Sequence, residues 1–288
     1  MDRNNLTHKD ILLKTFQAFL YFCEKYNLKY VAAYGTVLGA IRHKGLIPWD
    51  DDIDVYMPIE DFNRFLSLKT ELRGTEFEIF DYSDNGAYMS YAKFCDKNTT
   101  IWEYENRPFV LGVFIDIFPL YKTADSLMET YKKDKAGRRI WDNYVKSILS
   151  LSGDQLKLAI KRLDIVYLLK CGYFFFIYRW RRRFYLNKFL KYSKGLEDFH
   201  GEDYFAFCAD KDVRKNILLN AWIENTIVVP FEGLSISIPK DYDGYLKFQY
   251  GDYMQLPPLE KRLPHCSYYI NLSRRLQIDE ILNLIKVK

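Results

Sequence analysis

Four aspartates lie within five residues, and their spacing suggests metal chemistry. They are Asp50, Asp51, Asp52 and Asp54. The alternating pattern of 50–57 predicts a strand, in which Asp52 and Asp54 share one face while Ile53 and Val55 face the core. Adjacent carboxylates repel each other unless a cation neutralises them, and their oxygens suit Mg²⁺ or Mn²⁺. We therefore expect a metal site, the alternative being a solvated acidic strand end or a helix cap.

A glycine and a threonine, Gly35 and Thr36, open a predicted helix directly after the β-prone run 28–34. Glycine lets the backbone approach a phosphate, and a helix N-terminus offers free N–H groups and a favourable dipole. Such turns are common, so the pair alone is weak evidence. Its position about fifteen residues before the acidic run predicts a phosphate cradle beside the metal site.

A fifth aspartate, Asp116, lies inside the apolar run 113–119. Burying a carboxylate in such a strand costs free energy unless the group is paired or bound to a metal. We interpret Asp116 as the third ligand of the ion held by Asp52 and Asp54. A buried aspartate that accepts a backbone hydrogen bond is the alternative.

Two basic groups flank these elements and could hold phosphates. The first comprises Arg42, His43 and Lys44, and the second comprises Lys261, Arg262 and His265. A basic helix C-terminus, favoured by the helix dipole, is the alternative for the first group. An exposed loop is the alternative for the second.

Periodicity outlines the elements that must position these side chains. Helical spacing predicts helices over 9–26, 59–72 and 124–150, and another after Pro239. Strands are predicted over 76–81, 89–95 and 111–118, with a hairpin over 226–238 that turns at Glu232 and Gly233. Because strands lie on both sides of a helical middle, we expect an α/β (α+β) core with an insertion.

The segment 157–194 differs from the rest of the chain. It contains eleven lysines or arginines against one acid, Asp164, and an aromatic run over 173–178. This composition is typical of a helix on a membrane surface. A helical hairpin that packs on the core and keeps its cations in water is the alternative.

Composition narrows the classes of protein and compartment. The net charge of +4 is too small to indicate a polyanionic partner, so we expect no nucleic-acid partner. Five cysteines without a CxxC pair suggest neither a zinc cage nor a disulfide framework. The sequence contains no uninterrupted stretch of about 18 apolar residues, so no transmembrane helix is predicted. We expect a cytoplasmic protein, peripheral on the inner face of the plasma membrane if 157–194 is interfacial.

Three stretches resemble the LicD family of phosphocholine transferases, which is related to the fukutin-type ribitol-phosphate transferases. They are YGTVLGAIRHKGLIPWDDDID at 34–54, IDIFPL around Asp116, and KDYDGYLKFQYGDYMQLPPLEKRLPH at 240–265. The matching blocks cover roughly 30–122 and 226–265. The resemblance implies the nucleotidyltransferase fold of DNA polymerase β, a mixed sheet flanked by helices. We expect a nucleotidyltransferase-like catalytic core over 1–125 and C-terminal strands and a helix that complete it over 221–288. Between them we expect a helical, basic and aromatic insertion over 126–220, on the acceptor or membrane side.

The resemblance also implies a reaction and its residues. A phospho-substituent would pass from a CDP-linked donor to a sugar hydroxyl of a surface glycan or teichoic acid, which could be lipid-linked, with release of CMP. Asp52, Asp54 and Asp116 would bind the metal. From the chemistry of the residues themselves, we expect Asp51 or Asp116 to accept the hydroxyl proton. Gly35, Thr36 and the two basic groups would bind the donor.

Choline is the head group that the resemblance implies, since bacterial relatives commonly transfer phosphocholine. In addition, ring faces can bind quaternary ammonium groups and this chain is rich in tyrosine, although an aromatic core is the alternative explanation of these rings. The candidate rings are Tyr82, Tyr88, Tyr91, Trp102 and Tyr104. A polyol donor, CDP-ribitol or CDP-glycerol, would instead use polar groups such as those of Asp84, Asn85, Asn98 or Glu103. Two further alternatives are true nucleotidyl transfer to a small molecule and a non-enzymatic membrane- or glycan-binding protein.

Overall fold

A seven-stranded mixed sheet is built around one long central strand. The computed structural model describes residues 6–149, 156–157 and 160–286; residue 150 of the predicted helix and residues 158–159 of the basic segment lie outside them. The strands are β1 Val31–Ala32, β2 Asp54–Pro58, β3 Phe77–Phe80, β4 Ala92–Asp96, β5 Thr100–Trp102, β6 Phe114–Lys122, β7 Tyr204–Ala206, β8 Ile217–Leu218, β9 Thr226–Phe231, β10 Leu234–Pro239 and β11 Tyr269–Asn271.

Helices flank this sheet, which confirms the predicted α/β class. They are α1 His8–Lys25, α2 Tyr34–Arg42, α3 Ile59–Ser67, α4 Leu127–Ile148, α5 Ile165–Tyr173, α6 Arg182–Lys194, α7 Asn220–Glu224, α8 Tyr242–Tyr250 and α9 Ile278–Lys286. A 3₁₀ turn, Leu68–Leu72, extends α3, and a π-helical turn, Phe174–Arg179, follows α5.

The order of the main sheet is β1-β2-β6-β4-β3, and β6 also pairs with β7, which pairs with β8. β2 and β6 run parallel, whereas the other pairs are antiparallel. The faces of β6 are covered, so Ile115, Ile117 and Leu120 are fully buried. Helix α1 packs on this core through Phe19, whose ring lies 5.9 Å from that of Phe94. Aromatic residues therefore fill the core, as their abundance in the sequence allows.

A tight β1–α2–β2 unit connects the predicted phosphate cradle to the acidic run. The backbone N–H of Asp54 donates to Thr36 Oγ1 at 2.9 Å, and the N–H of Ala33 donates to the Asp54 carbonyl at 2.9 Å. Tyr34 N–H donates to the hydroxyl of Tyr245 at 2.8 Å. This bond ties α2 to α8, so residues more than 200 positions apart build one site.

The predicted acidic strand is shorter than expected. The pattern predicts a strand over 50–57, but β2 begins only at Asp54, so Asp50 to Asp52 precede it. Ile53 and Val55 are fully buried, as predicted. The predicted hairpin is confirmed, with β9 and β10 joined at Glu232 and Gly233.

The middle of the chain contributes strands as well as helices. β7 and β8 lie within 126–220 and extend the main sheet, while α6 packs on α4, with the rings of Phe189 and Trp141 4.5 Å apart. The proposed boundaries at 125 and 220 stay a prediction. Within the described residues, no helix has both the length and the apolar character that crossing a membrane requires.

The close approach between α2 and the loop that follows it should limit substitution at Gly39. A Cβ at Gly39 would lie 2.4 Å from the carbonyl oxygen of Gly45, which is backbone and cannot rotate away. We expect Gly39→Ala to lower the free energy of unfolding by about 1–3 kcal/mol. Urea unfolding measures this difference.

Gly172→Ala is the matched control, because no atom lies within 4 Å of the position of its Cβ in α5. Alanine there should leave the stability unchanged or raise it by up to about 1 kcal/mol. If the two variants unfold at the same urea concentration, the close approach at Gly39 does not limit stability.

Candidate functional site

Strand register brings two acids and a lysine into one row across the sheet. Asp54 of β2 is the register partner of Asp116 in β6, and Asp116 is in turn the partner of Lys93 in β4. Directly paired residues project from the same face, with Cβ atoms about 5 Å apart. Lys93 Nζ donates to Asp116 Oδ1 at 2.7 Å, and both side chains are buried. The predicted proximity of Asp54 and Asp116 is therefore a consequence of parallel pairing.

The pKa values of Asp54 and Asp116 in this row, and of the neighbouring Asp52, are all raised. Burial raises the pKa of Asp116 to about 7, although Lys93 opposes the rise. Burial, followed by the charges of Asp52 and Asp116, raises the pKa of Asp54 well above its usual range. Burial and the neighbouring Asp50 raise the pKa of Asp52 to about 7. All three carboxyl groups thus keep their protons to a higher pH than an ordinary aspartate does when no further cation is present.

The acidic run also contacts the C-terminal part of the chain. His265 Nδ1 lies 3.0 Å from Asp51 Oδ1 and 3.6 Å from Asp52 Oδ2. The hydrogen bond to Asp51 raises the pKa of His265 to about 9, against the effect of its partial burial. Burial would raise the pKa of Asp51, but the bonds and charge of His265 outweigh it and lower that pKa. His265 is therefore a cation at neutral pH.

The donor set fits a divalent cation. Among the described residues, no lysine or arginine forms an ion pair with the side chain of Asp52 or Asp54, although both carboxyls are partly buried. Ligand atoms of Asp50, Asp52 and His265 lie within 4.8 Å of one another and form a candidate metal-binding group. Oxygen donors in this arrangement suit Mg²⁺ or Mn²⁺ better than thiophilic ions.

A cavity of about 770 Å³ opens beside the acids, and three of the eight predicted donor-binding residues line it. Its lining residues include Gly35, Arg42, Trp49, Asp50 and Arg262. The Arg262 guanidinium lies 5.2 Å from the centre of the Trp49 ring. A Cβ at Gly35 would lie 2.7 Å from Asp50 Oδ2, so a larger residue here would require the Asp50 carboxylate to shift. An aromatic plane, two guanidinium groups and a backbone cradle thus surround one space.

The other predicted donor residues are placed differently. Thr36 is buried and accepts the hydrogen bond from Asp54, so it positions β2. His43 accepts a hydrogen bond from Arg42 Nε at 2.9 Å and lies edge-on to Trp49. Lys44 and Lys261 are exposed and do not line the cavity. The structure thus brings together Arg42 and Arg262, but not the whole of either basic group.

The five aromatic residues predicted to bind choline do not all lie together in the structure. Tyr82 packs against Phe189 in the core, and Trp102 belongs to a small cluster with Leu276. Tyr88 and Tyr104 remain next to each other, with ring centres 5.5 Å apart. Tyr91 instead packs on Phe118, with ring centres 4.4 Å apart.

Sequence reasoning missed Lys93 and Trp49 as site residues. Lys93 gives a signal of its own, since it is the lysine of a buried strand, AKFCD, and a fully buried lysine requires an acidic partner. Trp49 adjoins the acidic run, but nothing in its spacing predicts that it lines a cavity with residues from 250–262.

Comparison with known proteins identifies the family. Residues 27–160 match the family described as LicD/FKTN/FKRP, nucleotidyltransferase domain. The chain is 30% identical over 264 residues to the lipopolysaccharide cholinephosphotransferase LicD of Haemophilus influenzae, which covers 88% of this chain and 93% of that protein. The chain belongs to the LicD family. The resemblance in the 34–54 stretch is thereby confirmed, as is the transferase class.

Two further matches are shorter. An uncharacterised protein of Rickettsia typhi is 40% identical over 113 residues, or 39% of this chain and 35% of that protein. An uncharacterised protein of Rickettsia prowazekii is 54% identical over 114 residues, or 39% of this chain and 42% of that protein. These matches add nothing on the reaction, because neither protein has an assigned activity.

The acidic row, which we define as Asp52, Asp54 and Asp116, should make the metal-free protein less stable as pH rises. When folding raises the pKa of a carboxyl group, the group makes its full contribution to stability below its unfolded pKa of about 4. This contribution is lost as pH rises through the pKa of the folded state. For Asp52 and Asp116 that value is about 7. In excess chelator, we therefore expect the melting temperature to fall between about pH 5 and pH 8.

Asp54→Asn should flatten this pH dependence and raise the melting temperature at pH 8, because it removes one of the repelling charges. Mg²⁺ should stabilise the wild-type protein at pH 8 by mass action and should leave Asp54→Asn unchanged. Calorimetry with and without Mg²⁺ measures both effects. A wild-type melting temperature that is constant over this range would contradict the charge balance described here.

Proposed function

We propose that the protein transfers phosphocholine from CDP-choline to a sugar hydroxyl of a cell-surface glycan and releases CMP. The observation that carries the proposal is the register pairing of Asp54 with Asp116 beside the cavity of Arg42 and Arg262, in a chain of the LicD family. The name of the Haemophilus relative, lipopolysaccharide cholinephosphotransferase, supports the choice of choline and of a glycan acceptor.

Asp52, Asp54 and Asp116 would hold Mg²⁺ or Mn²⁺ in this proposal. Such an ion would neutralise charge on the diphosphate oxygens during transfer. Asp116 can take part because Lys93 bonds to Oδ1 and leaves the second oxygen for another partner. Ligand atoms of Asp50 and Asp52 also lie within 4.8 Å of each other, whereas a protonated His265 has no lone pair to offer the ion.

The cavity beside the acids would receive the CMP part of the donor. Trp49 offers an aromatic face for the cytosine ring, and Arg42 and Arg262 offer guanidinium groups for the phosphates. His265 adds a positive charge at the edge of the acidic run, since its bond to Asp51 keeps it protonated at neutral pH.

The reaction is an in-line displacement at the phosphorus that carries choline. The sugar oxygen forms a new bond to this phosphorus, and the bond to the bridging oxygen breaks, so that CMP leaves with that oxygen. The hydroxyl proton passes to a carboxylate, for which Asp116 and Asp51 are the candidates. Positioning of the hydroxyl against the phosphorus supplies a large part of the rate enhancement.

Incubation with CDP-choline, Mg²⁺ and purified surface glycan should produce phosphocholine-modified glycan and free CMP, both detected by mass spectrometry. Parallel reactions contain CDP-ribitol or CDP-glycerol. Asp54→Asn should reduce turnover to background while its far-UV circular dichroism stays native. Asp279→Asn, an exposed acid in the first turn of α9, is the matched control and should keep full activity.

Three results would contradict this proposal. Transfer from a polyol donor but not from CDP-choline would exclude choline as the head group. Glycan that gains CMP would indicate nucleotidyl transfer. Full activity of Asp54→Asn, or of the wild type in excess chelator, would exclude the acidic row as a metal site.

We also propose that 157–194 contacts an anionic membrane surface. Large apolar side chains are exposed along this segment, and Trp180 is 88% exposed. The others are Ile160, Leu163, Ile165, Val166, Leu169, Tyr173, Phe175, Phe176, Ile177 and Phe184. Lysines and arginines are interspersed with one acid, so the surface suits anionic lipid, at about 1 kcal/mol per cation. Contact of this kind would bring the site to a lipid-linked acceptor.

Co-sedimentation with anionic vesicles tests the membrane contact. The triple change of Arg179, Arg181 and Arg183 to Glu should release the protein, because these exposed cations would then repel the lipid. Arg182 is left unchanged, since it lies near Tyr144 and is partly buried. Neutral vesicles and a triple Glu variant of the exposed Lys9, Lys14 and Lys247 are the controls. Equal retention of the two triple variants would exclude the contact.

A further inference from the structure

A cation lies against two tyrosine rings next to the acidic row. The Arg107 guanidinium carbon is 4.3 Å from the centre of the Tyr104 ring and 5.1 Å from that of Tyr88. The two rings are nearly perpendicular, at 87°, with centres 5.5 Å apart. Two faces at this angle form a corner that attracts positive charge through the ring quadrupoles.

An acid completes the corner. The Tyr88 hydroxyl donates a hydrogen bond to Glu103, whose Oε2 also lies 3.6 Å from Lys93 Nζ. The same Lys93 nitrogen is 2.7 Å from Asp116 Oδ1. One lysine thus faces two carboxylates, Glu103 and Asp116, and cannot neutralise both when they are ionised. Lys93 therefore connects the aromatic corner, through Glu103, to Asp116, one of the proposed catalytic acids.

Arg107 is held in this corner weakly. Among the described residues, no carboxylate lies within ion-pair distance of its guanidinium, and its side chain is partly exposed. The surrounding turn is held by backbone bonds instead: Arg107 O accepts from Trp102 Nε1 at 2.9 Å and from Phe109 N–H at 2.7 Å. The guanidinium can leave the rings without disrupting this turn.

We infer that Tyr88, Tyr104 and Glu103 form the binding site for the quaternary ammonium group of the donor, in the position that the Arg107 guanidinium takes here. The inference rests on the proposed function and adds the residues that select the head group. A trimethylammonium has no hydrogen-bond donor, so ring faces and a nearby carboxylate are the groups that can recognise it. Arg107 competes for the same space and must move when the donor binds.

Isothermal titration in the presence of Mg²⁺ tests this site with three probes: CDP-choline, its neutral carbon isostere CDP-3,3-dimethylbutanol, and CMP. The wild type should bind CDP-choline more tightly than the isostere. Tyr104→Leu should lose about tenfold, or about 1.4 kcal/mol, of CDP-choline affinity and most of the preference over the isostere. Its affinity for CMP should not change.

Three further variants separate the role of the ring from general effects. Tyr104→Phe keeps the ring face and should retain the preference. Arg107→Ala removes the competing cation and should tighten CDP-choline binding several-fold without affecting the isostere equally. Tyr21→Leu replaces an exposed tyrosine on α1, 67% exposed, and should behave like the wild type.

The outcomes distinguish this inference from the proposed function. If the wild type binds CDP-choline no more tightly than CMP, choline is not the head group, and both the proposed donor and this site are wrong. If CDP-choline is preferred but Tyr104→Leu keeps the full preference over the isostere, the donor stands and the aromatic site is wrong. Weaker CDP-choline binding by Arg107→Ala would also overturn the site, because it would make Arg107 a ligand and not a competitor.

Discussion

Mutual repulsion among partly buried carboxylates is the constraint on which the rest of the site depends. Parallel pairing of β2 with β6 sets Asp54 against Asp116, and the acidic run adds Asp52 to the same region. Lys93 balances one of these charges from the neighbouring strand. The fold tolerates the remaining charge because protons, or a divalent cation, can neutralise it. A site whose charges repel when it is empty would gain stability on binding the proposed ion and donor.

Much of this arrangement could be predicted from local sequence. The alternation around Asp54, the apolar run around Asp116 and the turn at Gly35 each have a period or a residue type that indicates one structure. Helices α1 and α8 and the β9–β10 hairpin follow from the same patterns. The LicD resemblance then relates these separate elements to one another, which periodicity alone cannot do.

Other features depend on long-range contacts that no local pattern encodes. β7 and β8 are three and two residues long, too short for a period to be visible, and they form only by pairing beside β6. At the start of β2, the Asp54 N–H bonds to Thr36, a contact that the alternating pattern of 50–57 does not indicate. The cavity joins Trp49 to residues 250–262, and the contact of His265 with Asp51 spans 214 positions. Sequence analysis could name both basic groups but not which members meet.

Anomalous diffraction from a crystal grown with Mn²⁺ and CDP-choline would test the central claim most directly. The account predicts a Mn²⁺ peak bound by oxygens of Asp52, Asp54 and Asp116, at distances of about 2.0–2.2 Å. The donor diphosphate should complete its coordination. A peak confined to Asp50, Asp52 and His265, or an ordered donor with no peak near Asp54, would contradict the assignment of the acidic row as the catalytic metal site.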